Sequence, residues 1–122
     1  MSKILIAEDN QDFALLLQSI LEKEEYQVHV AYDGDEAIEH LQDHSDCDLV
    51  LTDIIMPGTD GLDLIEFVKA NSAAKIIAMS GGGIYMSSDR AVAAISEHVE
   101  VVLKKPFEHE HLLCCIADIL KH

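Results

Sequence analysis

Five short apolar runs separated by amphipathic stretches predict an α/β chain, a doubly wound parallel sheet with helices on both faces. The runs occupy residues 3–7, 27–31, 49–52, 75–79 and 100–104, and each leads into a turn signal or a helical pattern. The first, third, fourth and fifth are almost continuously apolar, as in strands covered on both faces. Strictly alternating strand and helix patterns are joined by right-handed crossovers, which place helices on both sides of a parallel sheet. The alternation uses the whole of the 122 residues, so one domain over residues 1–122 is expected, with no linker or low-complexity tract.

Taken in order, the first run enters the acids Glu8 and Asp9, and a helical stripe of Phe13, Leu16, Leu17, Ile20 and Leu21 follows. The acids Glu22, Glu24 and Glu25 read as an exposed helix end. The second run alternates Val28 and Val30 with Gln27 and His29, which predicts an edge strand. Asp33 with Glu36 three residues on forms a capping box with Asp in place of Ser or Thr, opening a helix that buries Ala37, Ile38 and Leu41. His40 and His44 sit four apart on that helix, a spacing at which two imidazoles can share a metal, although a solvated polar face is the simpler reading. Gly61 opens the third helix, ahead of Leu62, Ile65 and Val68. A fourth helical segment over residues 87–98 offers only Val92, Ile95 and small alanines and is the least anchored. Leu112, Leu113, Ile116, Ile119 and Leu120 give the last helix its stripe.

Eight basic against twenty-three acidic residues leave a net charge of -15, which repels a phosphate backbone and argues against direct nucleic-acid binding. No apolar run is long enough for a membrane span, and the first residues lack a secretory h-region, so a cytoplasmic location is expected. The three cysteines, Cys47, Cys114 and Cys115, show no metal-binding spacing and read as core or surface thiols.

In an open sheet of this class, ligands bind beyond the carboxyl ends of the strands. Glu8 and Asp9 follow the first run, Asp53 the third, Ser80 the fourth and Lys105 the fifth, immediately before Pro106. Any one of these alone is an ordinary loop residue. Together they bring three carboxylates into one pocket, which is unfavourable unless a cation neutralises them or a pKa rises. Carboxylate oxygens, a backbone carbonyl and waters suit Mg²⁺, which shares its sites with phosphate; calcium is the weaker choice because no EF-hand loop is present. Beside such an ion Asp53 is a nucleophile toward phosphorus, Lys105 offsets charge on the phosphoryl oxygens, and Ser80 donates a hydrogen bond to another.

The stretches Ile6-Ala7-Glu8-Asp9-Asn10, Leu51-Thr52-Asp53-Ile54-Ile55-Met56-Pro57-Gly58-Thr59-Asp60-Gly61, Met79-Ser80-Gly81 and Leu103-Lys104-Lys105-Pro106-Phe107, with Asp33-Gly34 after the second run, resemble response regulator receiver domains of two-component signalling. The resemblance covers essentially the whole chain. It implies a five-stranded flavodoxin-like sheet of order 2-1-3-4-5. It further implies that Asp53 takes a phosphoryl group from a histidine kinase or histidine phosphotransfer protein, with no enzymatic activity beyond the chain's own phosphorylation and dephosphorylation. Glu8, Asp9, Asp53 and the backbone carbonyl of Ile55 would hold Mg²⁺, Ser80 would be the switch hydroxyl, Lys105 the phosphate clamp, and the bond before Pro106 is often cis. A downstream protein would read the face made by the fourth helical segment, the fifth strand and the last helix, with a monomer and a phosphorylation-dependent dimer both compatible.

Two positions depart from the family pattern. Val102 stands where relatives often carry an inward-swinging Tyr or Phe, which puts the relay in doubt; Tyr85 reads as a loop tyrosine rather than its substitute. Ile55 and Gly82 offer no polar side chain to orient an attacking water, from which slow self-dephosphorylation is expected. Gly81, Gly82 and Gly83 give the loop after Ser80 freedom to rearrange, as they would any tight turn. The chain would act alone, relay phosphate onward as a shuttle, or form part of a longer regulator. Two rivals rank lower: a Mg²⁺-dependent aspartate-nucleophile phosphohydrolase, which normally has a second acid where Ile55 stands, and a non-phosphorylated pseudo-receiver, which the intact acids, Ser80 and Lys105 oppose.

Overall fold

A computed structural model of the protein describes residues 2–54, 61–80 and 97–121. Among these the elements run β1 (Lys3–Ala7), α1 (Gln11–Lys23), β2 (Gln27–Ala31), α2 (Gly34–Asp43), β3 (Leu49–Asp53), α3 (Gly61–Asn71), β4 (Lys75–Ser80), β5 (Val101–Lys104) and α4 (His109–Leu120). The strands form one parallel sheet in the order β2-β1-β3-β4-β5. The first two apolar runs coincide with their strands, and the third and fourth each extend by one residue, to Asp53 and Ser80.

Side chains alternate along each strand, and the core divides accordingly. Leu5, Ala7, Val50, Ile76 and Ala78 pack toward Ala37 and Leu41 of α2 and Leu64, Ile65 and Val68 of α3. Ile4, Ile6, Leu49, Leu51, Ile77 and Met79 pack toward Leu17 and Leu21 of α1 and Leu112 and Ile116 of α4. Burial of each such Leu or Ile side chain stabilises the fold by about 1.5–3 kcal/mol. The central strand β3 is buried at every residue, and β1 at all but its first, whereas β2 alternates, as its edge position requires. The fifth run, though apolar, is the other edge: Val101 and Val102 are only partly buried and Lys104 is exposed. Its first residue, Glu100, lies before the strand, where its carboxylate accepts from the Ile76 amide at 2.7 Å.

The helix starts follow the sequence. Asn10 accepts from Phe13 N at 3.0 Å to cap α1. Asp33 accepts from Glu36 N at 2.8 Å, while the Glu36 carboxylate reaches back to Tyr32 N at 2.7 Å, one residue before the cap. One stripe differs from expectation. Leu16 is 46% exposed, like Leu15 at 50%, and Ala14 is buried instead. At about 100° per residue, positions 13, 14, 20 and 21 fall within about 60° of Leu17, whereas 16 lies about 100° away. At the other end of α1, Glu25 has φ 68°, a left-handed turn into β2. The fourth helical segment lies mostly outside the described residues, with Glu97 and His98 alone described, in helical conformation. Ile55, the turn at Met56, Pro57 and Gly58, the three glycines 81–83 and Tyr85 also lie outside them. No described helix is long and apolar enough to cross a membrane.

Candidate phosphoryl-transfer site

The parallel strands end on one edge of the sheet, and the backbone ladder continues one residue past three of them. Glu8 N donates to Ala31 O at 3.0 Å, Ile54 N to Met79 O at 3.1 Å, and Lys105 N to Ser80 O at 2.8 Å. The residues just beyond β1, β3 and β5 are thereby tied to the neighbouring strand. Glu8, Asp53 and Ser80 are 1%, 7% and 6% exposed, and Asp9 is open to solvent.

Lys105 joins two of the acids: its Nζ donates to Glu8 Oε1 at 2.6 Å and to Asp53 Oδ2 at 3.0 Å. The second Glu8 oxygen accepts from Asn10 N at 3.0 Å. Burial pushes the Glu8 carboxyl above its usual range, against the opposing pull of Lys105 and the Asn10 amide, and the neighbouring Asp53 charge adds to the rise. For Lys105, burial disfavours the charge, but its hydrogen bonds to Glu8 and Asp53 together outweigh that and raise its pKa. The ammonium is thus fixed as a cation at neutral pH.

One ammonium does not balance the acids present. Glu8, Asp9 and Asp53 each bring one carboxylate oxygen within 4.8 Å of the other two. An octahedral Mg²⁺ with bonds of about 2.0–2.1 Å separates its ligand oxygens by about 2.9–4.2 Å, so small side-chain adjustments close this trio on an ion. The donor set is hard oxygen with an excess of negative charge, which fits such a cation chemically. Ile55, whose carbonyl was the fourth expected ligand, lies outside the described residues.

Four residues escaped the sequence reading. The Phe13 ring lies under Lys105, with Nζ 4.9 Å from its centroid, and Phe107 packs edge-on against Phe13 at 5.9 Å. This aromatic pair gives the ammonium a cation–π contact in addition to its two carboxylates. Thr52 donates its hydroxyl to Asp53 O at 2.8 Å. Gly61 sits directly against the end of β3: a Cβ there would fall 2.3 Å from Asp53 O and 2.5 Å from Ile54 Cα, and its own amide donates to Ile54 O at 2.9 Å. Only the aromatic character of positions 13 and 107 and the glycine at 61 carried any trace of this in the sequence. The Lys105–Pro106 bond is cis. Val102 pairs with Ala78 and packs, partly buried, on the core side that holds α2 and α3.

Comparison with known proteins agrees with this arrangement. A family model described as the response regulator receiver domain matches residues 4–117. The chain is 32% identical over 121 residues to the transcriptional regulatory protein CpxR of Escherichia coli (strain K12), with 99% of this chain and 50% of that protein covered. It is also 32% identical to the response regulator ArlR of Staphylococcus saprophyticus, at 99% and 53%. The chain thus spans about half the length of these relatives. Among solved structures, the response regulator TrrA of Thermotoga maritima, crystallised in complex with Mg²⁺-BeF, superposes with a TM-score of 0.82 at 30% identity, covering 98% of this chain and all of that one. A two-component response regulator from Clostridium difficile superposes at 0.87 with 26% identity, covering 100% and 98%. Sheet order, strand-end acids and sequence agree, and the chain belongs to the response regulator receiver domain family.

Proposed function

We propose that this receiver domain is a phosphorylation-dependent signalling switch in which Asp53 accepts a phosphoryl group from the phosphohistidine of a histidine kinase or histidine phosphotransfer protein. The observation that carries the proposal is the Lys105 ammonium held between Glu8 and Asp53 at 2.6 and 3.0 Å, beside a carboxylate trio with room for a divalent ion.

In the transfer, an Asp53 oxygen attacks phosphorus, the P–N bond to the donor imidazole breaks, and the imidazole leaves, taking up a proton. Glu8, Asp9 and Asp53 would hold Mg²⁺, together with the Ile55 carbonyl that the family resemblance implies, and the ion would neutralise charge on the phosphoryl oxygens. Lys105 stays paired with Glu8 while its contact to Asp53 passes to a phosphoryl oxygen, so the clamp requires no new desolvation. Ser80 ends β4 one residue beyond Met79, the partner of Asp53 across neighbouring strands about 4.8 Å apart, and in this reading its hydroxyl donates to a second phosphoryl oxygen. That engagement draws on the loop after Ser80 and biases a pre-existing equilibrium of the face formed with β5 and α4, which a partner protein reads. Val102 supplies no aromatic swing there, which sets this chain apart from relatives that carry Tyr or Phe at that position. The chain catalyses only its own phosphorylation and dephosphorylation, in the cytoplasm, and its net charge of -15 opposes direct contact with nucleic acid.

Intact mass after incubation with a small phosphodonor and Mg²⁺ tests the reading. The expected result is a gain of one phosphoryl group, absent in Asp53→Ala and absent without Mg²⁺. No gain with any donor would favour a pseudo-receiver, and multiple turnover of a phosphate ester would favour a phosphohydrolase.

A further inference from the structure

Three imidazoles form a column on the β2 edge of the molecule. His29 of β2 stacks on His40 of α2 with ring centroids 3.9 Å apart and planes 11° from parallel, and His40 stacks on His44 at 4.3 Å and 15°. His44 caps the helix, and its Nδ1 lies 3.1 Å from the His40 carbonyl oxygen. A carbonyl only accepts, so Nδ1 carries the proton and Nε2 presents its lone pair. A backbone-bound Nδ1–H of this kind is what orients metal-ligating histidines.

We propose that His40 and His44 bind a divalent transition-metal ion of borderline softness, Zn²⁺ or Ni²⁺, at the C-terminal end of α2. The two ligands are one helical turn apart, and imidazole nitrogen is a preferred donor for both ions. A tetrahedral ion with Zn–N bonds of about 2.0–2.1 Å holds its nitrogens about 3.4 Å apart, within reach of two rings one helical turn apart whose centroids lie at 4.3 Å. Because an ion lies in the plane of each ligating ring, binding requires the parallel stack of His40 on His44 to open. Rotation of the His40 ring about Cβ–Cγ, a broad and inexpensive torsion, aims its lone pair at an ion on His44. Water completes the coordination. Among the described residues, Glu8, Asp9 and Asp53 are the one group of three or more ligand residues with donor atoms within 4.8 Å, so the histidine site is a two-ligand site and His29 is not a third ligand.

The surroundings suit a cation. Glu36, Glu39 and Asp43 line a depression beside the rings; in the groove on the other side Asp46 is already paired with Lys3, so the attraction for a cation comes from the first three acids. Cys47 shares that groove but donates to Leu49 O at 3.2 Å, and burial raises its thiol pKa, so it remains protonated and leaves ligation to nitrogen.

Calorimetric titration with Zn²⁺ in saturating Mg²⁺, which occupies the acidic trio, tests the site. The wild type is expected to bind one Zn²⁺ per chain, at least tenfold more tightly than His40→Gln or His44→Gln, with Asp53→Asn unchanged and affinity lost at pH 5. Circular dichroism verifies that each variant is folded, and His44→Gln, at an exposed position, serves if His40→Gln is not. Absence of Zn²⁺ binding by the wild type, equal affinity in a folded histidine variant, or loss of binding in Asp53→Asn each overturns the proposal.

Discussion

Gly61 shows how far a single side chain at the site is constrained by its backbone neighbours. A methyl group at this position meets Asp53 O, Ile54 Cα and Ile54 O, all closer than 3.0 Å, and all three belong to backbone that the β3–β4 ladder holds in place. Gly61→Ala is therefore expected to lower stability by about 1–3 kcal/mol, read as a reduced urea midpoint with unchanged slope. The same substitution displaces the acceptor carbonyl, so phosphoryl uptake falls more than stability alone explains. Residues of the site differ in how visible they are in the sequence. Glu8, Asp53, Ser80 and Lys105 are legible because each interrupts or ends an apolar run at the edge where ligands collect. Phe13 and Phe107 are not, because their bracing of Lys105 depends on α1 and the β5–α4 turn meeting in space, and an aromatic on a helical stripe looks the same whether it fills a core or faces a cation. Thr52 is hidden for a similar reason, being one polar residue within a buried strand whose partner is a neighbouring carbonyl.

At the level of elements, the strands were legible almost to the residue, since parallel strands buried on both faces leave uninterrupted apolar runs. The errors fall where periodicity is weakest. Leu16 lies at the margin of its helical stripe, and Glu100 sits in a bend just before β5, bonded to Ile76 of β4 through both its amide and its carboxylate. The end of α1 carries a conformation that the sequence does not announce: Glu25 adopts φ 68°, where a side chain costs about 1 kcal/mol relative to glycine. Glu25→Gly is expected to stabilise the fold by up to about 1 kcal/mol, measured as a raised midpoint of thermal unfolding. The histidine column makes α2 sensitive to pH. His40 has a folded pKa below its unfolded value of 6.5, so its contribution is present above pH 6.5 and is lost as pH falls through the folded value. His29 faces it from β2, His44 from its own helix end, and Asp43 and Asp46 pull in the opposite direction. Unfolding with chelator present should show the wild type losing more stability than His40→Gln between pH 7 and pH 5. Equal losses would mean that the stack is not held neutral.

Across the whole molecule, the three carboxylates at the strand ends oppose folding when no cation accompanies them, and a chain of net charge -15 adds to that repulsion. Mg²⁺ is expected to raise thermal stability, by about 2.7 kcal/mol at a hundredfold excess over its Kd, because it binds the folded chain alone. Asp9→Ala should abolish the increase while making the metal-free protein more stable, since it removes a ligand and a repelling charge together. A differential scanning calorimeter distinguishes the two effects in one series. The parallel sheet also gives the molecule two unlike ends. Every strand points its carboxyl terminus at the acids, so the turns at Ser45, Asp46 and Cys47 and at Ser72 and Ala73 lie a full strand away, about 16 Å for five residues. For anyone wishing to instrument this switch, that distant end is the natural handle: a fluorophore or surface tether attached at the exposed Ala73 leaves the working end open to its visitors.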